Sequence, residues 1–329
     1  MSVKPKSQTK QHIIDILSRQ KGQYLSGAVI ADMLSVSRNA VWKAVKELQN
    51  DGCDIVSAVN RGYALLSDYE LLSAEGIRKY LECPERVAAI EVYDALPSTN
   101  RAAKALAVAD APHGTVVVAN AQTEGRGRHG RTFFSPAESG LYMSVIWKPT
   151  GLGVMPPSAI TAFAAVCVSE AIEAVTGKSP SIKWVNDIFW QGKKVGGILT
   201  EAVTDFESRS LQWVVLGIGL NVMMPPEGFP SELQGVAGAL YGEADVPPVR
   251  NRLAAEIVNR ILGCDELPTA AEIYGAYKKR LCMLGEMVSV AEGDEAYRAV
   301  AVDIDDTGRL LVCKENGDVH ALLAGEIHI

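Results

Sequence analysis

The sequence predicts a multidomain α+β protein: a winged helix-turn-helix module, a mixed α/β body and a C-terminal all-β segment. Three observations carry that reading. Three short helical patterns run into a hairpin at the start of the chain, helix and strand signals interleave through the middle, and short strands separated by Gly-containing turns close it. With 329 residues there is room for two or three domains.

In residues 1–66, the pattern over 9–19 places Ile13, Ile14 and Leu17 at helical spacing. Ser26 is the expected N-cap of a second helix holding Ala28, Ile30, Ala31 and Leu34. After a turn at Val36, Ser37 caps a third, in which Val41, Val45 and Leu48 form the buried stripe. Asp51-Gly52 ends that helix, and residues 55–66 alternate around Asn60-Arg61-Gly62, a short hairpin or wing. Ser37, Arg38, Asn39, Trp42, Lys43 and Lys46 on the outer side suit base edges and phosphates, and Arg61 at the wing tip a phosphate or the minor groove. A helical protein-interaction domain with a solvated face is the plainer alternative. Charge supports the first reading. Residues 1–66 carry a balance of +4 and the remainder −11, so a cationic module is attached to an anionic body, as two different partners would require.

Residues 67–70 separate the wing from a short helix over 73–80. A strand over 87–93 follows, and Pro97-Ser98-Thr99-Asn100 opens a helix to about residue 109. The β-branched strand over 115–121 delivers the chain directly into GRGRHGR, residues 125–131. Another strand is expected over 141–147, then a long apolar helix over 158–175 ended by Gly177. Within 181–202, Ile182 ends a strand, Gln191-Gly192 turns a hairpin and 195–201 returns. Residues 211–222 read as a buried strand interrupted by Gly217 and Gly219 and closed by Asn221. From residue 282 onward, strands over 287–291, 297–303, 309–314 and 319–323 alternate with turns at 305–308 and Asn316-Gly317, a pattern that a small SH3-like β-barrel fits.

With 48% hydrophobic and 22% charged residues the composition is that of an ordinary globular protein. The opening residues hold no apolar run of signal-peptide length, and no stretch is expected to be long enough to cross a bilayer. The longest apolar segment, 159–175, carries Ser169, Glu170 and Glu173 and reads as a core helix. The six cysteines form no CxxC pair and no disulfide framework, which fits a reducing cytoplasm and argues against structural zinc. A cytoplasmic location without a membrane partner is the expectation.

GRGRHGR is the most informative stretch. Its glycines let backbone lie close against a ligand, and Arg126, Arg128 and Arg131 supply forked donors suited to phosphate or carboxylate. Alone, it is equally consistent with a solvated basic loop or an RG-type RNA-binding tract. Around the later hairpin lie Lys183, Asn186, Asp187, Lys193 and Lys194. Lys183 and Lys193 also read as exposed charges, and Asn186-Asp187 as residues stabilising a turn. Gly196-Gly197 marks a close backbone approach or a bulge, and Gly217 and Gly219 admit a bulge too. Asn221 caps a turn, or offers an adenine edge a donor and an acceptor together.

Weak singly, these signals are specific in their order. STN at 98–100, Gln122 with GRGRHGR, KWVND at 183–187 with KKVGGIL at 193–199, and GIGLN at 217–221 strongly resemble the biotin protein ligases. With the N-terminal module attached, the chain resembles the bifunctional biotin ligase/biotin operon repressors over nearly its full length.

The resemblance implies a class II synthetase-like ligase domain at 67–281, between a winged helix-turn-helix domain at 1–66 and an SH3-like domain at 282–329. It implies that biotin's carboxylate attacks the α-phosphate of ATP to give biotinyl-5′-AMP and pyrophosphate. A lysine of the biotin carboxyl carrier protein then takes the biotinyl group and AMP leaves. Mg²⁺ arrives with ATP, held by phosphates and water, and no resident metal is expected. Two anions must meet, so Arg126, Arg128 and Lys194 are expected to neutralise them, since preorganised charge of this kind is usually the largest catalytic contribution. Ser98, Thr99, Asn100 and Gln122 are expected to read the ureido ring, with backbone contacts at Gly125 and Gly197. Arg128, Arg131, Phe133, Asn186, Asp187 and Asn221 match adenylate positions. Asp187 also matches an aspartate implicated in transfer, where a carboxylate deprotonates or orients the incoming lysine.

Two departures stand out. Phe133 occupies a place where repressor members commonly carry tryptophan, and stacks on adenine with less area and no indole donor. Val185 replaces the proline of KWPND, which is expected to loosen a turn. The arginine loop is expected to be mobile before ligand binds and to close over the adenylate. The adenylate in turn is implied to promote homodimerisation and binding to operator DNA of biotin biosynthesis genes, as a ligand with different affinity for two states does. The rivals are a lipoate-type ligase, a biotin-sensing transcription factor without catalysis, and a ligase whose N-terminal module does not bind DNA.

Overall fold

A computed structural model describes residues 8–50, 53–66, 71–148, 155–204, 211–242, 249–263, 267–292, 295–322 and 326–328. The helix stop at Asp51-Gly52, the connector 67–70 and Leu323 at the end of an expected strand lie outside the described residues.

The first module holds α1 (Gln8–Arg19), α2 (Gly27–Leu34), α3 (Arg38–Asn50) and the wing strands β1 (Ile55–Ala58) and β2 (Gly62–Leu65). Both expected caps form. Ser26 Oγ accepts from the Val29 N–H at 3.2 Å and Ser37 Oγ from the Ala40 N–H at 3.1 Å. Ile13, Leu17, Ile30, Val41, Val45 and Leu48 make a core of their own, closed by Ile55 and Leu65 of the wing.

A buried hinge joins this module to the body. Ser73, which caps the short α4 (Ala74–Arg78), donates from Oγ to Gln11 Oε1 at 2.6 Å, and its N–H donates to Asn251 Oδ1 at 3.1 Å.

The body is a seven-stranded sheet. Its strands are β3 (Ala89–Leu96), β4 (Thr115–Gln122), β5 (Gly140–Trp147), β6 (Ser181–Lys183), β7 (Asp187–Trp190), β8 (Lys193–Thr204) and β9 (Leu211–Asn221), in the order β3-β4-β5-β9-β8-β7-β6. Only β3 and β4 run parallel. One face carries α5 (Thr99–Val108), whose Ala103 and Ala107 pack on Val117, Ala119, Ile146 and Val215. The other carries α6 (Pro157–Thr176), α7 (Arg250–Leu262) and α8 (Ala270–Lys278). Alternation along the inner strands therefore sends apolar side chains to both faces, as a sheet covered on both sides needs.

The expectation about bilayer-length segments needs amending. At 20 residues α6 is long and apolar enough to cross a membrane, but 67% of its apolar window is buried inside the protein, which makes it a core helix. Gly177 ends it in the left-handed region, at φ 68°.

The C-terminal strands β10 (Met287–Glu292), β11 (Glu295–Ile304), β12 (Leu310–Lys314), β13 (Val319–Leu322) and β14 (Glu326–His328) form an antiparallel sheet ordered β13-β12-β11-β10-β14. The fifth strand was not expected. Val288, Val290, Ala301 and Leu310 belong to the same apolar core as the body, so this sheet is fused to it. No disulfide joins the described cysteines, Cys53, Cys83, Cys167, Cys282 and Cys313.

Candidate functional site

Strand β4 ends on Gln122, and the chain then folds back to lay the arginine loop beside α5. The Thr99 N–H at the start of α5 donates to Gln122 Oε1 at 2.8 Å, and Gln122 Nε2 donates to Ser135 Oγ at 3.0 Å. The loop closes on itself, with the Gly127 N–H donating to Arg131 O at 2.7 Å and the Phe133 N–H to Gly125 O at 2.9 Å. Gly125 has no room for a side chain, because a Cβ there would lie 2.3 Å from Phe133 O. Ser98 is buried at 3% exposure, while Arg126 and Arg131 are exposed.

The glycines of β9 clear space rather than bend the strand. Register with β5 and β8 is unbroken through Gly217 and Gly219, which corrects the bulge alternative for them. A Cβ at 217 would lie 1.9 Å from Asn100 Oδ1, and one at 219 would lie 2.7 Å from the Phe133 ring. Asn100 is thus turned into the sheet. Its Nδ2 donates to Leu199 O at 3.2 Å and Glu201 Oε2 at 3.0 Å, so its amide is consumed beneath the site.

The hairpin β7–β8 carries the charged cluster. Lys194 Nζ lies 2.6 Å from Asp187 Oδ1. Gly197, opposite Asp187 in register, leaves room for this pair, with Lys194 Cε at 3.5 Å and Asp187 Oδ1 at 3.6 Å from where its Cβ would be. A bulge does exist nearby, in β8, where Val195 is the extra residue between the pairs Ile188–Gly196 and Phe189–Lys194, directly before Gly196. Arg128 reaches across from the arginine loop and donates to Asn186 Oδ1 at 3.2 Å, while Asn186 Nδ2 donates to Ile198 O at 2.9 Å. Arg128, Asn186, Asp187, Lys194 and Gly197 are therefore brought together, although 69 positions separate the first and last.

Lys183 faces Asp187 in register and is half-buried, not an exposed charge. Burial lowers its pKa, aided by the Lys194 and Arg131 cations and opposed by Asp187. Lys193 is exposed, as its plainer reading held. Asn221 donates to Gly238 O at 2.9 Å and closes the strand end.

Val185 and its neighbour are tied to residues far along the chain. Its carbonyl accepts from the Tyr277 hydroxyl at 2.9 Å, and the neighbouring Trp184 donates from Nε1 to Gly308 O at 3.0 Å. A cavity of about 290 Å³ opens here, lined by Arg128, Trp184, Val185, Tyr274, Tyr277 and Gly308. Ser144 and Glu201, which touch Asn100, escaped sequence reading. The signal was the register pairing of Ser144 with Gly217, which a sequence does not display. Among the described residues, no group of three or more His, Cys, Asp or Glu is placed to hold a metal ion.

On the first module, Ser37, Arg38, Asn39, Trp42, Lys43 and Lys46 are all exposed along α3. Arg61 is exposed at the wing and its guanidinium lies 4.2 Å from the centre of the Tyr24 ring.

Comparison with known proteins fits this geometry. Residues 92–221 match the biotin/lipoate A/B protein ligase family, 9–64 match a helix-turn-helix domain, and 283–329 match the biotin protein ligase C-terminal domain. The class is thus a protein ligase of the biotin/lipoate type carrying a helix-turn-helix. More narrowly, the chain belongs to the family of bifunctional biotin ligase/repressors. It is 36% identical over 261 residues to the bifunctional ligase/repressor BirA of Bacillus subtilis, covering 79% of this chain and 78% of that one. To BirA of Escherichia coli it is 28% identical over 313 residues, 94% of each chain. The solved biotin protein ligase from Aquifex aeolicus in complex with biotin and ATP matches with a TM-score of 0.60 at 28% identity, covering 73% of this chain and 98% of that chain.

Proposed function

We propose that this protein joins biotin to ATP as biotinyl-5′-AMP, then moves the biotinyl group to a lysine of a biotin carboxyl carrier protein, and that the same adenylate makes it a repressor of biotin biosynthesis genes. The observation that carries the catalytic part is the Lys194–Asp187 pair over Gly197, with Arg128 held to the neighbouring Asn186. Arg128 and Lys194 offset the repulsion between carboxylate and α-phosphate, with Arg126 at the loop's outer edge and Arg131 toward the nucleotide. Asp187 orients the acceptor lysine or takes its proton. Thr99, Gln122 and Ser98, with backbone at Gly125 and Gly197, hold the ureido ring. Phe133 covers adenine, and Asn186 and Asn221 shape the adenylate's surroundings. Mg²⁺ enters as the ATP complex, a substrate, with its charge shared by phosphate oxygens.

In this reading the body is a class II synthetase-like domain over 67–281 and the C-terminal sheet, 282–329, an SH3-like barrel. The module 1–66 places α3 in the major groove of operator DNA, a homodimer meets the two half-sites, and the protein works in the cytoplasm.

Intact mass of a purified carrier domain tests the enzyme, after incubation with this protein, ATP, Mg²⁺ and either biotin or lipoate. A single biotinyl addition, absent with lipoate, is expected. Lipoyl addition would make it the other kind of ligase, and no addition despite biotin binding would leave a ligand sensor.

A further inference from the structure

Two loops of the first module meet at the wing tip. The segment before α2 is strapped to the wing. The Gly22 N–H donates to Leu65 O at 2.9 Å, the Leu25 N–H to Tyr63 O at 2.9 Å and the Tyr63 N–H to Leu25 O at 2.8 Å. Tyr24 stands between those straps, and the Arg61 guanidinium lies over its ring, 4.2 Å from the centre. The turn that presents Arg61 is fixed as well. Asn60 and Gly62 flank it at φ 61° and 102°. A Cβ at 62 would lie 2.0 Å from Leu25 O, so glycine is what lets the wing close on the segment that carries Tyr24.

Backbone and side chain of Arg61 are therefore both held, yet the residue is exposed and, among the described residues, no carboxylate pairs with it. That combination separates two uses of a wing-tip arginine. A contact to a phosphate on the outside of a duplex tolerates a mobile side chain, because the charge acts from many rotamers. Entry into a minor groove about 6 Å wide does not, because a long side chain must give up its rotamer freedom to reach the floor. A ring that already orders the guanidinium lowers that penalty, and it leaves the N–H donors and the charge for the ligand.

We infer that Tyr24 is a positioning residue for DNA recognition, holding Arg61 for entry into the minor groove, and that the wing therefore favours A·T over G·C pairs beneath it. This rests on the reading of the module 1–66 as DNA-binding. Narrow A·T-rich minor grooves concentrate negative potential that attracts arginine. A G·C pair instead adds the guanine 2-amino donor to the floor, where a guanidinium meets a second donor in place of an open acceptor. The preference needs no base contact from α3, so it adds to whatever that helix reads.

The test starts from the duplex that the full chain, with biotin and ATP, recovers from a random-sequence pool. Hydroxyl-radical protection that is lost in Arg61→Ala locates the pairs under the wing. Those pairs are then changed between A·T, G·C and inosine·C, and binding is read by fluorescence anisotropy. Inosine·C resembles G·C in the major groove and A·T in the minor groove, because it lacks the 2-amino group. Wild type is expected to weaken ~5-fold or more on G·C and to recover most of that on inosine·C. In Tyr24→Leu and in Arg61→Ala the preference falls to about twofold or less, and the double variant changes it no further. Tyr24→Phe keeps the ring and the preference, and Tyr24→Met replaces the leucine variant if that one does not fold. Inosine·C that behaves like G·C would place Arg61 outside the minor groove and overturn the inference, as would a pool that returns G·C under the wing. In Tyr24→Leu, an unaltered preference or equal weakening on every duplex would remove the positioning role. Recovery of no duplex by wild type would instead remove the DNA-binding reading itself.

Discussion

Lys194 Nζ sits 2.6 Å from Asp187 Oδ1, so the two groups assigned to successive half-reactions neutralise each other before any ligand is bound. The pair is partly open to solvent, at 32% and 24% side-chain exposure, so it is exchangeable and not a deep structural bridge. In the proposed mechanism, the biotin carboxylate and α-phosphate compete for Lys194 and draw it away from Asp187. On that reading, the carboxylate proposed for the second step is freed when the substrates of the first bind. Asp187→Asn should therefore leave pyrophosphate release nearly intact while slowing biotinyl transfer by ~10²-fold or more. Rapid-quench measurement of both steps checks this, and an equal loss in both would assign Asp187 to the adenylate instead.

Arg128 ties the arginine loop to the KWVND segment through Asn186 Oδ1 at 3.2 Å. Glycine at 128 removes that tie and one of the cations that the proposed mechanism sets against the mixed anhydride. Arg128→Gly is expected to release adenylate and biotinylate surface lysines without regard to carrier. Streptavidin blotting against albumin reads the result. A variant that remains faithful to its carrier would remove the retaining role of Arg128.

The Phe133 ring lies against Gly219 and edge-on to Tyr142, with 6.4 Å between ring centres and 72° between planes. Tryptophan there adds stacking area and an indole donor, at the cost of crowding the β9 backbone. Phe133→Trp should tighten the adenylate several-fold, about 1 kcal/mol, with little change in biotin affinity. Competition binding of both ligands separates the two outcomes, and parallel weakening would show that Gly219 leaves no room for the larger ring.

Local patterns carried most of the fold, because caps such as Ser26 and Ser37, and Gly177 at the end of α6, act within one turn of chain. The motifs likewise pointed to Arg128 and Asn186, which are hydrogen-bonded, and to Asp187 and Lys194, which are paired. What escaped depends on register and long-range packing. Ser144 matters because β5 pairs it with Gly217, and Asn100 looks like a ligand contact until Glu201 and Leu199 claim its amide. The tie from the Val185 carbonyl to Tyr277 is equally invisible in the sequence, because Tyr277 lies on α8, far along the chain. The short β14 carried too few residues to show a period.

The Trp184–Gly308 hydrogen bond makes the C-terminal sheet part of the site's support, and Asp305 shapes the turn that presents Gly308. Burial pushes the Asp305 carboxyl up, but hydrogen bonds from Thr307 and Arg309 outweigh it and hold it at about 2. A depressed folded-state value means stability present above the unfolded value, about 4, and lost as pH falls toward 2. Asp305→Asn should cost ~1–3 kcal/mol at neutral pH, and its deficit against wild type should shrink between pH ~4 and ~2. Urea midpoints across that window decide it, and a constant deficit would remove Asp305 as the titrating group.

On α3, Lys43 and Lys46 are exposed along the same helix as Arg38 and Asn39, one turn or more further from its N-terminus. In a recognition helix whose first residues meet base edges, residues in those later turns suit phosphates. Each neutralised phosphate releases counterion and steepens the salt dependence of binding. Lys43→Ala and Lys46→Ala should each lower the slope of log K against log salt by about 0.9, equally on any duplex. Arg38→Ala and Asn39→Ala should instead weaken binding only to the preferred sequence. Fluorescence anisotropy over a salt series with two unrelated duplexes separates these behaviours. Unchanged slopes for both lysine variants would place the DNA on another face of the module, or remove it from this protein's partners.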